Sequence, residues 1–97
     1  MLFRSVVDFL KIDIEGAETA VICDCKDVLR KINYISIEYH AWRNRKQELD
    51  KILSVLTENG FRYSLENCAK RQFPFISKDT HSLMDTQLNI YAVNTSL

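Results

Sequence analysis

Residues 6–14 read Val-Val-Asp-Phe-Leu-Lys-Ile-Asp-Ile, a nearly unbroken run of β-branched and aromatic side chains. Such a run predicts a strand covered on both faces, a central strand and not an edge. Glu15-Gly16 breaks it, and Ala17, Val21, Val28 and Ile32, joined by Ala20 and Leu29, recur at roughly helical spacing. That spacing predicts a helix interrupted near Asp24-Cys25. Tyr34-Ile35-Ser36-Ile37-Glu38-Tyr39 alternates as a second strand, with Ile35, Ile37 and Tyr39 on one face and Ser36, Glu38 and His40 on the other. Two strands joined by a helix make a right-handed βαβ unit with parallel strands, because the crossover helix packs back on a twisted sheet only in that hand.

Asn44-Arg45-Lys46-Gln47 has the form of a capping box and predicts a helix beginning at Arg45. Leu49, Ile52, Leu53 and Leu56 supply its apolar stripe, and Asn59-Gly60 its left-handed stop. Phe61-Arg62-Tyr63-Ser64-Leu65 alternates as a third strand. Residues 66–86 lack sustained periodicity and hold the only proline, in Phe73-Pro74-Phe75, which predicts a long loop or lid. Leu88-Asn89-Ile90-Tyr91-Ala92-Val93 closes the pattern as a fourth strand, expected antiparallel to the third. The predicted order is β-α-β-α-β-β, an α/β fold of parallel strands followed by an antiparallel terminal pair. A covered strand so early in the chain calls for neighbours beyond those the rest of the pattern supplies, since a bare apolar edge invites association.

Composition narrows the function classes. The 97 residues carry 13 Lys+Arg and 13 Asp+Glu, so no net charge marks a nucleic-acid footprint or an acidic tail. Hydrophobic residues make up 46% and charged residues 27%, a globular balance, and no run approaches the ~20 apolar residues of a membrane span. A chain of this length buries only roughly 65% of its unfolded surface, so the core is thin. The first residues have no signal-peptide pattern, which leads to an expectation of a cytoplasmic protein. Cys23, Cys25 and Cys68 are an odd set without paired metal-ligand spacing, expected as reduced thiols and not as a zinc site.

Ligands of open parallel sheets lie beyond the carboxyl ends of the strands, here residues 13–16 and 38–42. The stretch Val7-Asp8-Phe9-Leu10-Lys11-Ile12-Asp13-Ile14-Glu15-Gly16-Ala17-Glu18, followed by Tyr34-Ile35-Ser36-Ile37-Glu38-Tyr39-His40, resembles the FkbM family of S-adenosylmethionine-dependent methyltransferases. In that family the first stretch is the fourth strand and turn of a Rossmann-like sheet and the second is its fifth strand. A helix ending in Gly-Phe follows, here Asn59-Gly60-Phe61, and then the terminal antiparallel pair. The family's glycine-rich turn after its first strand and the acidic residue ending its second have no counterpart here. The chain's two glycines, Gly16 and Gly60, form no G-x-G-x-x-G. The resemblance therefore implies residues 1–97 as a single partial domain, the C-terminal half of the methyltransferase fold, with S-adenosylmethionine bound mainly by residues outside it. It also implies an acceptor hydroxyl on a sugar, a glycan or a polyketide-like small molecule.

Methylating a hydroxyl asks an enzyme for alignment and for a base to take the departing proton. The resemblance places Asp13 at the turn bordering donor and acceptor, a candidate for catalysis and cofactor contact, with Glu15 as a second cofactor contact. Capping of the following helix accounts for Asp13 as well, and the first helical turn favours Glu15 and Glu18 whatever the activity. Glu18 reads as structural. Lys11 shares Asp13's strand face and either forms an ion pair with a neighbouring carboxylate or orients Asp13 and binds substrate. Glu38 and His40 end the adjacent strand on one face, so Asp13, Glu38 and His40 are expected to converge, with His40 as general base and Glu38 fixing its tautomer or binding the hydroxyl. Packing at the surface is the plainer reading of a histidine near a tryptophan. A divalent cation between Asp13, Glu38 and a substrate diol is a weaker alternative. Trp42, with Tyr39, and Phe73-Pro74-Phe75 offer aromatic walls for an acceptor, or simple core and lid packing.

Three functions compete on this reading. The first is the methyltransferase half. The second is a non-catalytic α/β module that self-associates as a homodimer through the strand edge from Val6 to Ile14. The third is a metal-assisted hydrolase using the same carboxylates.

Overall fold

The computed structural model describes residues 7–13, 17–68 and 84–96, with the side chain of Val7 left aside. Strand β1 (Val7–Ile12) leads to helix α1 (Glu18–Asp24), a short 3-10 helix (Leu29–Lys31) and strand β2 (Ile32–Trp42); helix α2 (Leu49–Glu58) and strands β3 (Phe61–Asn67) and β4 (Met84–Asn94) follow. The order matches β-α-β-α-β-β, and the expected interruption of the first helix falls where α1 ends and the 3-10 turn begins.

The strands form one four-stranded sheet in the order β1-β2-β4-β3. β1 and β2 are parallel, with Phe9 opposite Tyr34 and Ile12 opposite Ile37, as the βαβ reading requires. β4 is antiparallel to β3, as expected, and also to β2. The last strand thus enters between its predecessors, and it alone runs against the rest. This double pairing extends the strands beyond the predicted limits. Glu66 and Asn67 belong to β3, and Met84, Asp85 and Thr86 belong to β4, so both ends of the expected loop are ladder. Phe73-Pro74-Phe75 lies outside the described residues.

Alternation along β2 sends Ile35, Ile37, Tyr39 and Ala41 into the core, where Ile90 and Ala92 of β4 stand opposite Ile37 and Ile35. Helices α1 and α2 cover this face with Ile22, Ile52 and Leu56, all three fully buried. The stripe predicted for α2 is the one it buries, with Leu49 and Leu53 packed at its margin. Gly60 ends α2 with φ of 85°, and its carbonyl accepts from the Thr95 backbone N–H (2.9 Å) and hydroxyl (2.8 Å). Asn94 ties the far end of the sheet: its amide donates to the carbonyls of Arg30 (3.2 Å) and Ile32 (3.0 Å).

Two expectations are corrected. Helix α2 begins at Leu49 and not at Arg45, and Glu48, its N-cap, makes no side-chain capping bond. The Asn44–Gln47 stretch forms no capping box because its groups are engaged elsewhere. The Arg45 N–H turns back to the Trp42 carbonyl (3.1 Å), the Gln47 amide reaches Asp85 (3.4 Å), and the Glu48 N–H donates to the Tyr39 hydroxyl (2.9 Å). The second correction concerns β1, which is an edge strand among the described residues, pairing with β2 alone. Its Leu10 and Ile12 face the helices, whereas Phe9 is 57% exposed on the opposite face. Both helices lie on one side of the sheet, so among the described residues nothing covers the other half of the apolar run.

No described helix is long and apolar enough to cross a membrane. Cys23 and Cys25 are half-buried, Cys68 is exposed, and all three thiols are free.

Candidate active site

The register builds the site. Ile12 is level with Ile37, so β2 continues through residues 38–42 past the end of β1, and Asp13 stands next in line at the level of Glu38. The chain leaving β1 returns as α1, whose first residue is Glu18. That return places a carboxylate beside the overhanging end of β2. His40 Nδ1 is hydrogen-bonded to Glu18 Oε1, and both residues are buried, at 7% and 2% exposure. A carboxylate of this kind accepts, so Nδ1 carries the proton.

On the other side of the ring, Nε2 lies 3.4 Å from Oε1 of Glu38. The same Oε1 accepts from the Gln87 side-chain amide at 2.5 Å. Gln87 arrives from β4, where the ladder sets it directly opposite His40. The Glu38 side chain is 27% exposed, and its Oε2 has no partner among the described residues. Trp42, two residues on and therefore on the same side of β2, stacks on His40 with centroids 6.1 Å apart and planes 17° from parallel. A cavity of about 60 Å³ opens beside the ring, lined by Glu18, Thr19, Trp42 and Glu48 with the cationic Arg45 and Lys46.

Of the residues expected to converge, the structure brings together Glu38 and His40, and Trp42 joins them. Asp13 is exposed at the end of β1, adjacent by register but without a hydrogen bond or ion pair among the described residues. It does not cap α1, whose N-cap is Ala17 with no side-chain bond. Lys11 is exposed opposite Ser36 and has no ion-pair partner among the described residues. Glu15 lies outside them. Glu18, which the sequence reads as structural, is the buried partner of His40, in the tautomer-fixing position expected of Glu38. Its signal in the sequence is its place at the start of the helix that crosses from β1 to β2, the strand that carries His40.

The donor of the resembling family finds no seat among these residues. Ligand pockets typically enclose ~300–1,000 Å³, several times the cavity beside His40, and the described residues hold no glycine-rich turn. Two wider hollows, of about 400 and 460 Å³, lie around Arg30, Glu58 and Asn59, at the end of the sheet away from the carboxyl ends of β1 and β2. Among the described residues no group of three or more His, Cys, Asp or Glu side chains is placed to hold a metal ion.

Comparison with known proteins agrees with the strand motifs. No curated protein and no solved structure matches the chain. The family model described as the methyltransferase FkbM domain matches residues 2–63, a span that holds β1, α1, β2, α2 and the start of β3, and with them Glu18, Glu38 and His40. The chain belongs to the FkbM methyltransferase family.

Proposed function

We propose that this chain is the acceptor-side half of an S-adenosylmethionine-dependent O-methyltransferase of Rossmann-like architecture, acting on a hydroxyl of a sugar, glycan or polyketide-like molecule. The observation that carries the reading is the Glu18–His40–Glu38 cluster at the carboxyl end of β2, within the span the family model matches. Converting a hydroxyl to an ether requires removal of its proton, and a positioned carboxylate or imidazole does this at close range. Glu38 is the member of the cluster open to a ligand. Its Oε1 is occupied by Gln87 and faces His40, which directs Oε2 outward as the atom that accepts the proton. His40 stands behind it, Trp42 offers an aromatic wall for the acceptor, and Asp13, at the end of the neighbouring strand, borders the same crevice. Lys11 flanks it on β1 as a further substrate contact.

The methyl donor is assigned to a cradle outside the described residues. Among the described residues one face of the sheet is uncovered and the outer flank of β1 is unpaired, which supports this division, because the parallel strands of α/β folds are covered on both faces. The test is an assay of the complete gene product with isotopically labelled S-adenosylmethionine and a panel of hydroxylated acceptors. The expected result is label recovered as a methyl ether. Label recovered only on nitrogen or carboxylate, or no transfer at all, overturns the reading.

A further inference from the structure

Glu18 is the one acidic side chain among the described residues that the fold buries almost completely, at 2% exposure. Removing a carboxylate from water costs several kcal/mol unless an opposite charge or a set of donors compensates. The group bonded to it is the His40 ring, which offers one N–H in its neutral form and two when charged. The ring's second nitrogen faces another carboxylate oxygen, Glu38 Oε1, at 3.4 Å. At that separation a bare Nε2 lone pair is repelled by the carboxylate, whereas a protonated Nε2 is attracted. Each ring nitrogen therefore has a carboxylate oxygen within 4 Å. Gln87 adds a donor to Glu38 Oε1, which holds that oxygen in place between amide and ring.

We propose that Glu18 is a positioning residue that keeps His40 as a doubly protonated bridge between two carboxylates, so that the imidazole anchors Glu38 and is not itself the base. The proposal deepens the acceptor-side reading and rests on it for the role of Glu38. Among the described residues the surrounding charges are Glu18 on α1, Glu38 on β2, and Arg45, Lys46 and Glu48 from the segment before α2, all but Glu38 lining the cavity beside the ring. Of these, the two carboxylates within 4 Å of the ring nitrogens act most strongly, since the interaction falls with distance and with exposure to water. Trp42, stacked on the ring face at 6.1 Å, adds attraction for a cation.

The test is nitrogen-detected NMR of the histidine rings in the full chain, with the His40 signals assigned by their loss in His40→Asn. At neutral pH the expected spectrum shows both ring nitrogens of His40 protonated. In Glu18→Gln the ring loses one proton at the same pH, and in Glu18→Asp, which keeps the charge, it retains both. A neutral wild-type ring with a single protonated nitrogen overturns the proposal, as does a ring whose protonation is the same in wild type and a folded Glu18→Gln. The wild-type spectrum decides even where the variant does not fold. A doubly protonated ring in a gene product that transfers no methyl group removes the functional reading and leaves the bridge standing. A neutral ring in an active enzyme removes the bridge alone.

Discussion

The two faces of the sheet are made of the same four strands and follow opposite rules. On the helix-covered face, alternate residues of β2 and β4 are Ile35, Ile37, Ile90 and Ala92, each at most 2% exposed beneath α1 and α2. On the other face the intervening residues are Phe9, Tyr34 and Val93 in one cross-strand row, then Ser36 and Tyr91, then Glu38 and Asn89, then His40 and Gln87. The row nearest the start of β2 is apolar and wet: Tyr34 is 51% exposed and Val93 47%. Polarity rises toward the carboxyl end, where the Glu18–His40–Glu38 cluster lies. The difference teaches that one face of this chain is a finished core and the other an apolar floor leading to a polar rim. Stability resides in the first, and the proposed chemistry is assigned to the rim of the second.

Substitutions break or sharpen that contrast. Ile37→Ala or Ile90→Ala, on the finished face, should each lower stability by about 2–5 kcal/mol in chemical unfolding, the cost of a cavity in a close-packed core. Asn94→Ala leaves the buried Ile32 carbonyl and the part-buried Arg30 carbonyl without this donor and frees the Ser96 N–H that now reaches Asn94 Oδ1 at 2.9 Å; a loss of about 1–3 kcal/mol is expected in the same measurement. Gly60→Ala forces a side chain into left-handed backbone with its Cβ 2.2 Å from Ser96 Oγ. A loss of about 1–2 kcal/mol follows, mostly from the backbone because the serine can turn away. On the open face, Tyr34→Ala should stay within about 0.5 kcal/mol. A loss as large as that of Ile37→Ala would show that the face is covered in solution.

The smallest effect concerns Tyr91, whose phenol is held above its ordinary range, first by loss of hydration on the strand and then by its hydrogen bond to Glu66 and the charge of that carboxylate. A raised phenol contributes stability that is present below the ordinary tyrosine range and is lost as pH rises through the folded value. Ultraviolet titration of tyrosinate in Glu66→Gln should show Tyr91 ionising at lower pH than in wild type. An unchanged titration would exclude Glu66 as a cause.

The covered face was legible in the sequence because burial leaves a periodic trace. The alternation of Ile35, Ile37 and Tyr39 and the α2 stripe of Ile52 and Leu56 both read directly onto the core. What escaped was set by groups far apart in the chain. The start of α2 is decided by the Tyr39 hydroxyl taking the Glu48 N–H, which overrides the local appeal of Asn44 and Gln47. The length of β4 is decided by its second ladder with β2, which no local pattern encodes. Among the described residues β1 pairs with β2 alone, although its composition suits a strand with neighbours on both sides. In the site, Glu38 and His40 were legible from the two-residue period of one strand. Glu18 was not, because its first-turn location is favourable for an acid whether or not a histidine waits across the crossover, and only the overhang of β2 beyond Ile12 joins them.

The rate of methyl transfer by the complete gene product, compared between wild type and Glu38→Gln at equal folded fraction, bears most directly on the assignment of chemistry to the end of β2. Removing the oxygen proposed to accept the proton, while keeping the side chain's shape and its place beside Gln87, should slow transfer to a hydroxyl acceptor by about 10²–10⁴-fold, with donor affinity unchanged. A variant that transfers methyl at the wild-type rate would contradict it.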